Sequence, residues 1–316
     1  MKDGFGREIT YLRLSVTDKC NLRCRYCMPE EGVCEKRHDE MLTEDEMVTA
    51  VEAAASLGVT KLRITGGEPL VKKNILSICR RCAAVPGIRE VCLTTNGILL
   101  PELAVPLREA GVRRINLSLD TLSPEQYAAM TRRGVLAEAV RGLDAALSAG
   151  FDKVKINAVL IGGFNDGEIS ALAELTVRNP VDVRFIELMP MVGGSFGPEA
   201  FLPCGVVLER LPQLVPVPEA AGTAKLYRLP GAKGNIGLIS PLSHHFCGQC
   251  DRLRLTADGK LKPCLHSGTE YSIKGLDQAG MAAQFIRAAQ AKPERHGELS
   301  HDAPSTAGRA MNQIGG

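Results

Sequence analysis

The chain is expected to fold as an α/β protein, on two observations. Period-two, β-rich segments alternate with segments of helical period through the first two-thirds of the sequence. The length of 316 residues and the 45% hydrophobic content allow a sizeable core in one large domain, or in one with a smaller appendage. About six strand–helix units in succession argue for a parallel sheet, or an open or closed barrel, with chemistry gathered at the carboxyl ends of the strands.

Taken in order, residues 10–16 alternate and form the first strand. A helix follows over 43–57, where Thr43 caps the first turn and Glu46 completes a capping box. Later strands are expected over 59–64, 91–95, 114–119, 154–161 and 181–188, separated by helices over 76–84, 101–110, 136–148 and 166–177. Cys20, the run Gly66-Gly67-Glu68-Pro69, Asn96-Gly97 and Asp120 all fall just after strands. From about Pro190 the alternation fades. Gly193, Gly194, Pro198, Pro203 and a Pro-rich run over 212–218 suggest a loop-rich second region, which divides the chain into 1–190 and 191–316. Within it, Asp258-Gly259 is a hairpin turn between two alternating runs. A last helix over 281–291 precedes a polar tail ending Ile314-Gly315-Gly316.

Composition narrows the function. Lys plus Arg number 38 against 36 for Asp plus Glu, so the net charge of +2 gives no case for a nucleic-acid surface. No run approaches the roughly 18 uninterrupted apolar residues of a membrane span. The start, Met1 to Arg7, lacks the apolar stretch of a secretory signal, so a cytoplasmic setting is expected. The 11 cysteines are odd in number and do not divide into a closed set of disulfides. In a reducing compartment, clustered cysteines more often hold metal or do redox chemistry.

Cys20, Cys24 and Cys27 form a Cys-x3-Cys-x2-Cys set after the first strand. Thiolate is a soft ligand that suits iron–sulfur or zinc. An ordinary four-iron cluster takes four cysteines, so three leave one iron open, whereas zinc would recruit a fourth ligand such as Cys34 or His38. Cys247, Cys250 and Cys264 form a second set, Cys-x2-Cys-x13-Cys, whose long gap the hairpin explains by returning Cys264 towards Cys250. Here zinc could use His244 or His245. Cys79 and Cys82 also have Cys-x-x-Cys spacing, but they lie in a helical pattern with Ile75 and Ile78 and read as small core residues. Cys92 and Cys204 read as packing residues.

The run Cys20-Asn21-Leu22-Arg23-Cys24-Arg25-Tyr26-Cys27 resembles the signature of the radical S-adenosylmethionine superfamily, and Gly66-Gly67-Glu68-Pro69 resembles its second motif. Residues 11–29, 62–70, 93–97, 115–120, 155–157, 187–190 and 243–265, with Gly315-Gly316, are similar to the GTP 3′,8-cyclase family of molybdenum cofactor biosynthesis. Asp251 departs from that pattern, where an amide is more usual. The resemblance implies an incomplete (β/α)6 TIM-like barrel with a loop-rich C-terminal region carrying a second iron–sulfur cluster. It implies two [4Fe-4S] clusters, held by Cys20, Cys24 and Cys27 and by Cys247, Cys250 and Cys264. S-adenosylmethionine would contact Tyr26, Gly67, Ser118 and Met189. GTP would contact Arg13, Arg63, Thr94, Lys155, Arg252, Leu253 and Arg254, with Arg252 and Arg254 serving catalysis alongside the first cysteine set. No Gly-x4-Gly-Lys-Ser/Thr loop is present, so cationic side chains would hold the triphosphate.

The implied reaction cleaves S-adenosylmethionine to a 5′-deoxyadenosyl radical, which takes hydrogen from C3′ of GTP so that C3′ joins C8 of guanine. The Gly315-Gly316 tail would enter the site. Implied partners are a flavodoxin- or ferredoxin-like electron donor of unknown identity, a second copy in a homodimer, and cyclic pyranopterin monophosphate synthase as recipient of the product. Nucleic acid and membrane are not expected. Two other readings stand beside this one: a radical S-adenosylmethionine enzyme that modifies peptides and carries an auxiliary cluster, and a non-catalytic zinc-binding protein.

Overall fold

A computed structural model describes residues 1–34, 36–218, 222–297, 299 and 305–315. The strands β1 (Tyr11–Ser15), β2 (Lys61–Thr65), β3 (Glu90–Thr95), β4 (Val112–Ser118), β5 (Lys153–Leu160) and β6 (Val181–Glu187) lie side by side in chain order and parallel. The connecting helices are α1 (Glu44–Ser56), α2 (Ile75–Ala83), α3 (Leu100–Glu109), α4 (Pro124–Thr131), α5 (Leu136–Ser148) and α6 (Ile169–Arg178). Strand residues of one parity, among them Leu12, Leu14, Leu62, Ile64, Leu93 and Phe185, pack with helix residues such as Met47, Val51, Ile78 and Leu107 in one core. Cys79, Cys82, Cys92 and Cys204 are buried, the first two on α2. The capping box of α1 is present, with the Thr43 side chain accepting from Glu46 N and Glu46 accepting from Thr43 N.

The helix α4 was absent from the sequence reading. Its signals are local: Ser123 caps it by accepting from Gln126 N, and Pro124 opens it. It ends after eight residues at Arg132, whose φ of 61° breaks the helical path before an apolar stripe can show. The helix expected from 166 starts instead as a 3-10 turn, Asp166–Glu168, that runs into α6.

The region after 190, expected to be loop-rich with a hairpin and a last helix, carries further short elements besides these. It supplies α7 (Val206–Arg210), β7 (Val215–Pro216), β8 (Lys225–Arg228), β9 (Ile236–Ile239), β10 (Arg252–Leu255), β11 (Lys260–Lys262), β12 (Tyr271–Ser272), α8 (Gln278–Gln290) and α9 (Met311–Ile314). β10 and β11 are the expected arms of the hairpin and α8 the expected last helix, whereas β7, β8, β9 and β12 are too short for a period-two pattern to register. β9 adds in parallel to β6, and β10 adds in parallel to β1. The result is a 12-stranded sheet in the order β12-β11-β10-β1-β2-β3-β4-β5-β6-β9-β8-β7. It does not close on itself, and the C-terminal region forms both edges. The turn at Asp258-Gly259 makes the antiparallel β10–β11 hairpin as expected. Among the described residues no helix is long and apolar enough to cross a membrane.

Close backbone approach holds the outer layer to the sheet. A Cβ on Gly142 of α5 would lie 2.1 Å from the carbonyl oxygen of Gly97, just after β3. Gly142→Ala should therefore destabilise the fold by about 1–3 kcal/mol, although the same change in an unconstrained helix would stabilise by about 1 kcal/mol. A fall in the urea midpoint at unchanged m would show it; a rise would show that α5 is free to move away.

Candidate active site

The pleat gives the sheet a second face of different chemistry. Tyr11, Arg13 and Ser15 on β1 alternate with Leu12 and Leu14, and so point away from the helices. The register continues that face across the sheet. Arg13 stands opposite both Arg63 and Arg254, and Tyr11 opposite Arg252. Thr94 stands opposite Asn116, Asn116 opposite Lys155, Lys155 opposite Asp182, Ser118 opposite Asn157, and Asn157 opposite Arg184. The inner face thus gathers Arg13, Arg63, Thr94, Lys155, Arg252, Arg254 and Ser118, all named from the sequence.

Leu253 requires correction. It alternates with the two arginines, is 1% exposed and packs in the helix-side core. Its side chain faces away from the arginines, which leaves only its peptide group to serve that face. The sequence reading missed Tyr11, Arg184, Asn116 and Asn157. Their position at the same strand parity as Arg13 and Lys155 was the available signal.

The inner face is strongly cationic and half-buried. The Tyr11 ring sits among Arg63, Arg252 and Lys61, whose charges lie 5.8, 5.3 and 5.3 Å from its centroid. Arg63 donates from Nε to the Tyr11 hydroxyl and from an η nitrogen to Thr94 Oγ1 at 3.3 Å. Lys155 pairs with Asp182 at 3.3 Å, and Arg252 donates to Thr223 Oγ1 at 3.0 Å. Burial and then Arg254 hold Arg13 well below the ordinary arginine range. Burial, with Arg252 adding, brings Arg254 down to about 10; burial, with Arg63 adding, brings Arg184 down to about 10. Lys155 falls to about 8, through burial and then Arg184. Arg184 Nε, Arg252 Nε, Asn116 Oδ1 and Asn157 Oδ1 are buried without a hydrogen-bond partner. The two guanidinium nitrogens suit a polyanion that brings charge and acceptors, and the two amide oxygens suit donors.

The first cysteine set lies at the carboxyl end of β1. The Gly-Gly-Glu loop after β2 presses on the chain just before Cys20. Gly67 N donates to Thr17 O at 2.8 Å and Glu68 N to Lys19 O at 2.8 Å. A Cβ on Gly67 would stand 2.4 Å from Lys19 O, so only glycine fits this approach. The buried Glu68 carboxylate accepts from Asn96 N, Thr95 Oγ1 and Leu70 N, which ties the ends of β2 and β3 together. Asn96 Nδ2 then donates to Asn21 Oδ1 at 2.8 Å inside the cysteine loop. Tyr26 donates to Asp120 Oδ2 at 3.0 Å, and Asp120 also accepts from Val159 N. Burial lifts Asp120 to about 6 despite both bonds.

The three thiols fit a cationic centre. Burial first, and then neighbouring thiols or Glu68, raise Cys20 to about 11, Cys27 to about 12 and Cys24 further still. Three buried sulfurs that would repel one another as thiolates find their natural compensation in a metal cluster. Cys34 and His38, considered as zinc ligands for this set, are exposed, whereas Cys20, Cys24 and Cys27 are half-buried; among the described residues neither those two nor the three cysteines form a group with all ligand atoms within 4.8 Å of one another.

The second set is arranged by β6, β10 and α8. The buried Glu187 carboxylate at the end of β6 accepts from Cys204 N, Leu242 N, Ser243 N and Ser243 Oγ, which fixes the segment leading to Cys247. Cys247 opens a 3-10 turn, and Cys250 N donates to Cys247 O at 3.0 Å. Lys292, 4% exposed just after α8, donates to Arg252 O and Pro263 O at 2.9 and 3.0 Å, bracketing both arms of the hairpin beside Cys250 and Cys264. Burial would raise Cys250, but Lys292 and Arg252 bring it below its ordinary value. Among the described residues His245, not His244, stands beside Cys247, together with His296.

The tail reaches the inner face. Met311 N donates to Cys27 O at 3.2 Å and Asn312 Nδ2 to Asp18 O at 2.9 Å. Arg254 donates to Gly315 O at 2.6 Å. A Cβ on Gly315, whose φ is 87°, would meet Thr65 Oγ1 at 2.4 Å and Ser15 Cβ at 3.1 Å. Gly316 lies outside the described residues. Met189 packs with Met191, Ala307 and Ile314 beneath the tail.

Comparison with known proteins agrees with this geometry. Residues 14–176 match the Radical SAM superfamily and residues 181–298 match Molybdenum Cofactor Synthesis C. The chain is 47% identical to the GTP 3′,8-cyclase of Alkaliphilus oremlandii (strain OhILAs), with all of both chains covered. It is 48% identical to that of Pelotomaculum thermopropionicum, again over 100% of each. The chain belongs to the GTP 3′,8-cyclase family. Among solved structures it is similar to Streptococcus suis SuiB bound to S-adenosylmethionine, with a TM-score of 0.64 at 16% identity over 84% of this chain. It is also similar to methylornithine synthase (PylB), with a TM-score of 0.52 at 17% identity over 66% of this chain. The chain spans 63% of the length of each of those structures, and the likeness is one of fold.

As a member of the GTP 3′,8-cyclase family, with its radical S-adenosylmethionine domain, the chain uses [4Fe-4S] clusters and S-adenosylmethionine. Arg309 clamps the tail that this cyclase fold folds inward. It pairs with Glu270 at 2.6 Å and Asp258 at 3.0 Å, on and beside the hairpin. Arg309→Ala should speed amide exchange over residues 306–314 by roughly 10–100-fold, with Arg309→Lys intermediate and β3–β5 unchanged. Unchanged exchange in the tail would remove Arg309 from that role.

Proposed function

We propose that the chain is a radical S-adenosylmethionine lyase that converts GTP to (8S)-3′,8-cyclo-7,8-dihydroguanosine 5′-triphosphate, the first step of molybdopterin biosynthesis. The observation that carries this reading is the buried cationic inner face, bounded by one cysteine set at the end of β1 and another beside β10. The full-length similarity to GTP 3′,8-cyclases supports it. Neither the peptide-modifying nor the zinc-binding reading has an observation that favours it over this one.

Cys20, Cys24 and Cys27 hold the first [4Fe-4S] cluster, and Cys247, Cys250 and Cys264 hold the second. With both bound, the clusters and S-adenosylmethionine would supply the electron and the radical chemistry that removes hydrogen from C3′ of GTP. The chain's residues bind, orient and shield. Tyr26, held by Asp120, and Gly67, Ser118 and Met189 line the S-adenosylmethionine position. Arg13, Arg63, Lys155, Arg252 and Arg254 hold the triphosphate, Thr94 adds a hydroxyl, and Leu253 contributes its peptide group. Fixing both reactants on one rigid face supplies proximity, and the inserted tail excludes water.

The division at 190 separates a radical domain from a region bearing the second cluster, the hairpin and the tail. A flavodoxin- or ferredoxin-like donor, a homodimer and delivery of product to cyclic pyranopterin monophosphate synthase complete the proposal. The cytoplasm suits it, because thiol-held clusters need a reducing compartment.

Anaerobic incubation with dithionite, S-adenosylmethionine and GTP tests the reading. The hydrogen lost from C3′ is balanced by one electron and one proton gained, so the product is isomeric with GTP and must separate from it by chromatography. Formation of 5′-deoxyadenosine without that isomer would sink the assignment. Cys24→Ala should abolish 5′-deoxyadenosine formation. Arg252→Ala with Arg254→Ala should weaken GTP binding by about 100-fold or more while uncoupled cleavage persists.

The pH dependence has a defined sign. Lys155 in the free chain loses its proton near pH 8, and a bound triphosphate favours the charged form. GTP affinity should fall as pH rises through about 8, because binding then requires proton uptake. Titration calorimetry in buffers of different ionisation enthalpy would detect that uptake, and Lys155→Arg should remove it. Equal affinity at pH 7 and 9 would show that Lys155 does not meet the phosphates.

A further inference from the structure

Arg132 holds a conformation that an arginine adopts only at a cost. Its φ of 61° and ψ of −21° place it in the left-handed region, and among the described residues no other non-glycine residue has a positive φ. Glycine is the usual residue where a helix ends this way. Strain kept at such a point is characteristic of a residue whose side chain is needed there.

The side chain serves the first cysteine loop. The guanidinium donates to Arg23 O at 3.0 Å, to Met28 O at 3.2 Å and to Ser195 Oγ at 3.0 Å. Ser195 passes the contact on. Its hydroxyl donates to Arg25 O at 3.0 Å, and its backbone N–H donates to the same oxygen at 2.7 Å. The carbonyls at 23, 25 and 28 are thus held by one arginine and the serine it touches. The end of α4 holds the matching N–H groups: Arg23 N donates to Thr131 O and Arg25 N to Met130 O, both at 3.0 Å. Those carbonyls lie in the last turn of the helix, where no intrahelical donor reaches. Cys24 O accepts from Cys27 N at 2.9 Å and from Met28 N at 3.2 Å, which closes the turn between the two cysteines. Glycines let the segment bearing Ser195 come close. A Cβ on Gly193 would stand 2.9 Å from Pro29 Cδ, and one on Gly194 3.3 Å from Tyr26 O. These bonds fix the backbone of residues 23–28 and use none of its thiols.

We infer that Arg132 is a positioning residue for the first cysteine set: its guanidinium shapes residues 23–28 so that Cys24 and Cys27 present their sulfurs to one cluster. The role towards a cluster rests on the reading that Cys20, Cys24 and Cys27 hold one; the hold on the loop does not. Arginine suits the task because its planar fork offers several donors from one centre, here to two carbonyls and a hydroxyl. Lysine would keep the charge without the fork. Glycine would keep the turn without either.

The test uses the full-length chain with Cys247→Ser, Cys250→Ser and Cys264→Ser, so that iron is confined to the first set. Arg132→Gly relieves the backbone while removing the guanidinium, and its melting midpoint should stay close to that of the parent. Without iron, amide exchange over residues 23–28 should run about tenfold or more faster than in the parent, with β3–β5 unchanged. After anaerobic reconstitution the parent should hold about four irons per chain. A chelator should strip them from Arg132→Gly about tenfold or more faster, and the reduced cluster should give an altered EPR line shape. Arg132→Lys should behave as Arg132→Gly does, and Ser195→Ala, which removes the relay alone, should give a smaller change in the same direction. Parental rates of exchange and of iron loss in Arg132→Gly would overturn the role. Full recovery in Arg132→Lys would also overturn it, because charge alone would then suffice. If the parent takes up no iron, the cluster reading falls, while exchange in the iron-free chains still decides whether Arg132 shapes the loop.

Discussion

Like charge confined to the inner face of a parallel sheet is the constraint on which the rest of the molecule depends. Arg13, Arg63, Lys155, Arg184, Arg252 and Arg254 share that face, and Asp182 and Glu90 are carboxylates set beside them in the strand register. Two unit charges 4 Å apart at an effective dielectric near 20 repel by about 4 kcal/mol. The depressed values at Arg13, Arg184, Arg254 and Lys155 come first from burial, with this repulsion adding to it. The fold tolerates it because the opposite face of every one of these strands is apolar and fully buried under helices. Stability is thus concentrated on one side of the sheet, and the other side is left poised for an anion.

That division explains why the C-terminal region takes both edges of the sheet. β10 could not supply Arg252 and Arg254 from a detached domain; its parallel register with β1 sets Arg254 opposite Arg13. The antiparallel return through β11 brings Cys264 back beside Cys250, and Lys292 ties the two arms. At the other edge, β9 seats on β6 because Gly234 lets the chain pass under Val181, where a Cβ would stand 1.7 Å from the carbonyl oxygen. The Glu187 carboxylate then carries the path from that edge towards Cys247.

Much of this was legible in the sequence, for reasons that particular residues make plain. The first six strands carry clear alternation because one of their faces is apolar and the other polar, and the α1 capping box is a local signal. Cysteine spacing and the Asp258-Gly259 turn located both metal-binding candidates. The short strands β7, β8 and β9 were not legible, because two to four residues cannot display a period. Pairing between β10 and β1, about 240 residues apart, is set by tertiary register rather than local pattern. Tyr11 and Arg184 were within reach, since parity alone places them with Arg13 and Lys155.

The tail shows how the cationic face can be partly satisfied without being spent. Arg254 meets a peptide carbonyl, Gly315 O, rather than a carboxylate. A carbonyl offers a hydrogen bond and a partial charge, so it orients the guanidinium while leaving its unit charge uncompensated. The approach is steric as well. Gly315 adopts a positive φ and packs against Ser15 and Thr65, where any Cβ would collide at the carboxyl ends of β1 and β2. The same segment passes Cys27 through Met311 N and is clamped to the hairpin by Arg309. One strap therefore touches the first cysteine loop, the hairpin next to the second and the arginine between them. Arg309 thus joins the hairpin to the strap whose Gly315 carbonyl meets the guanidinium that stands opposite Arg13.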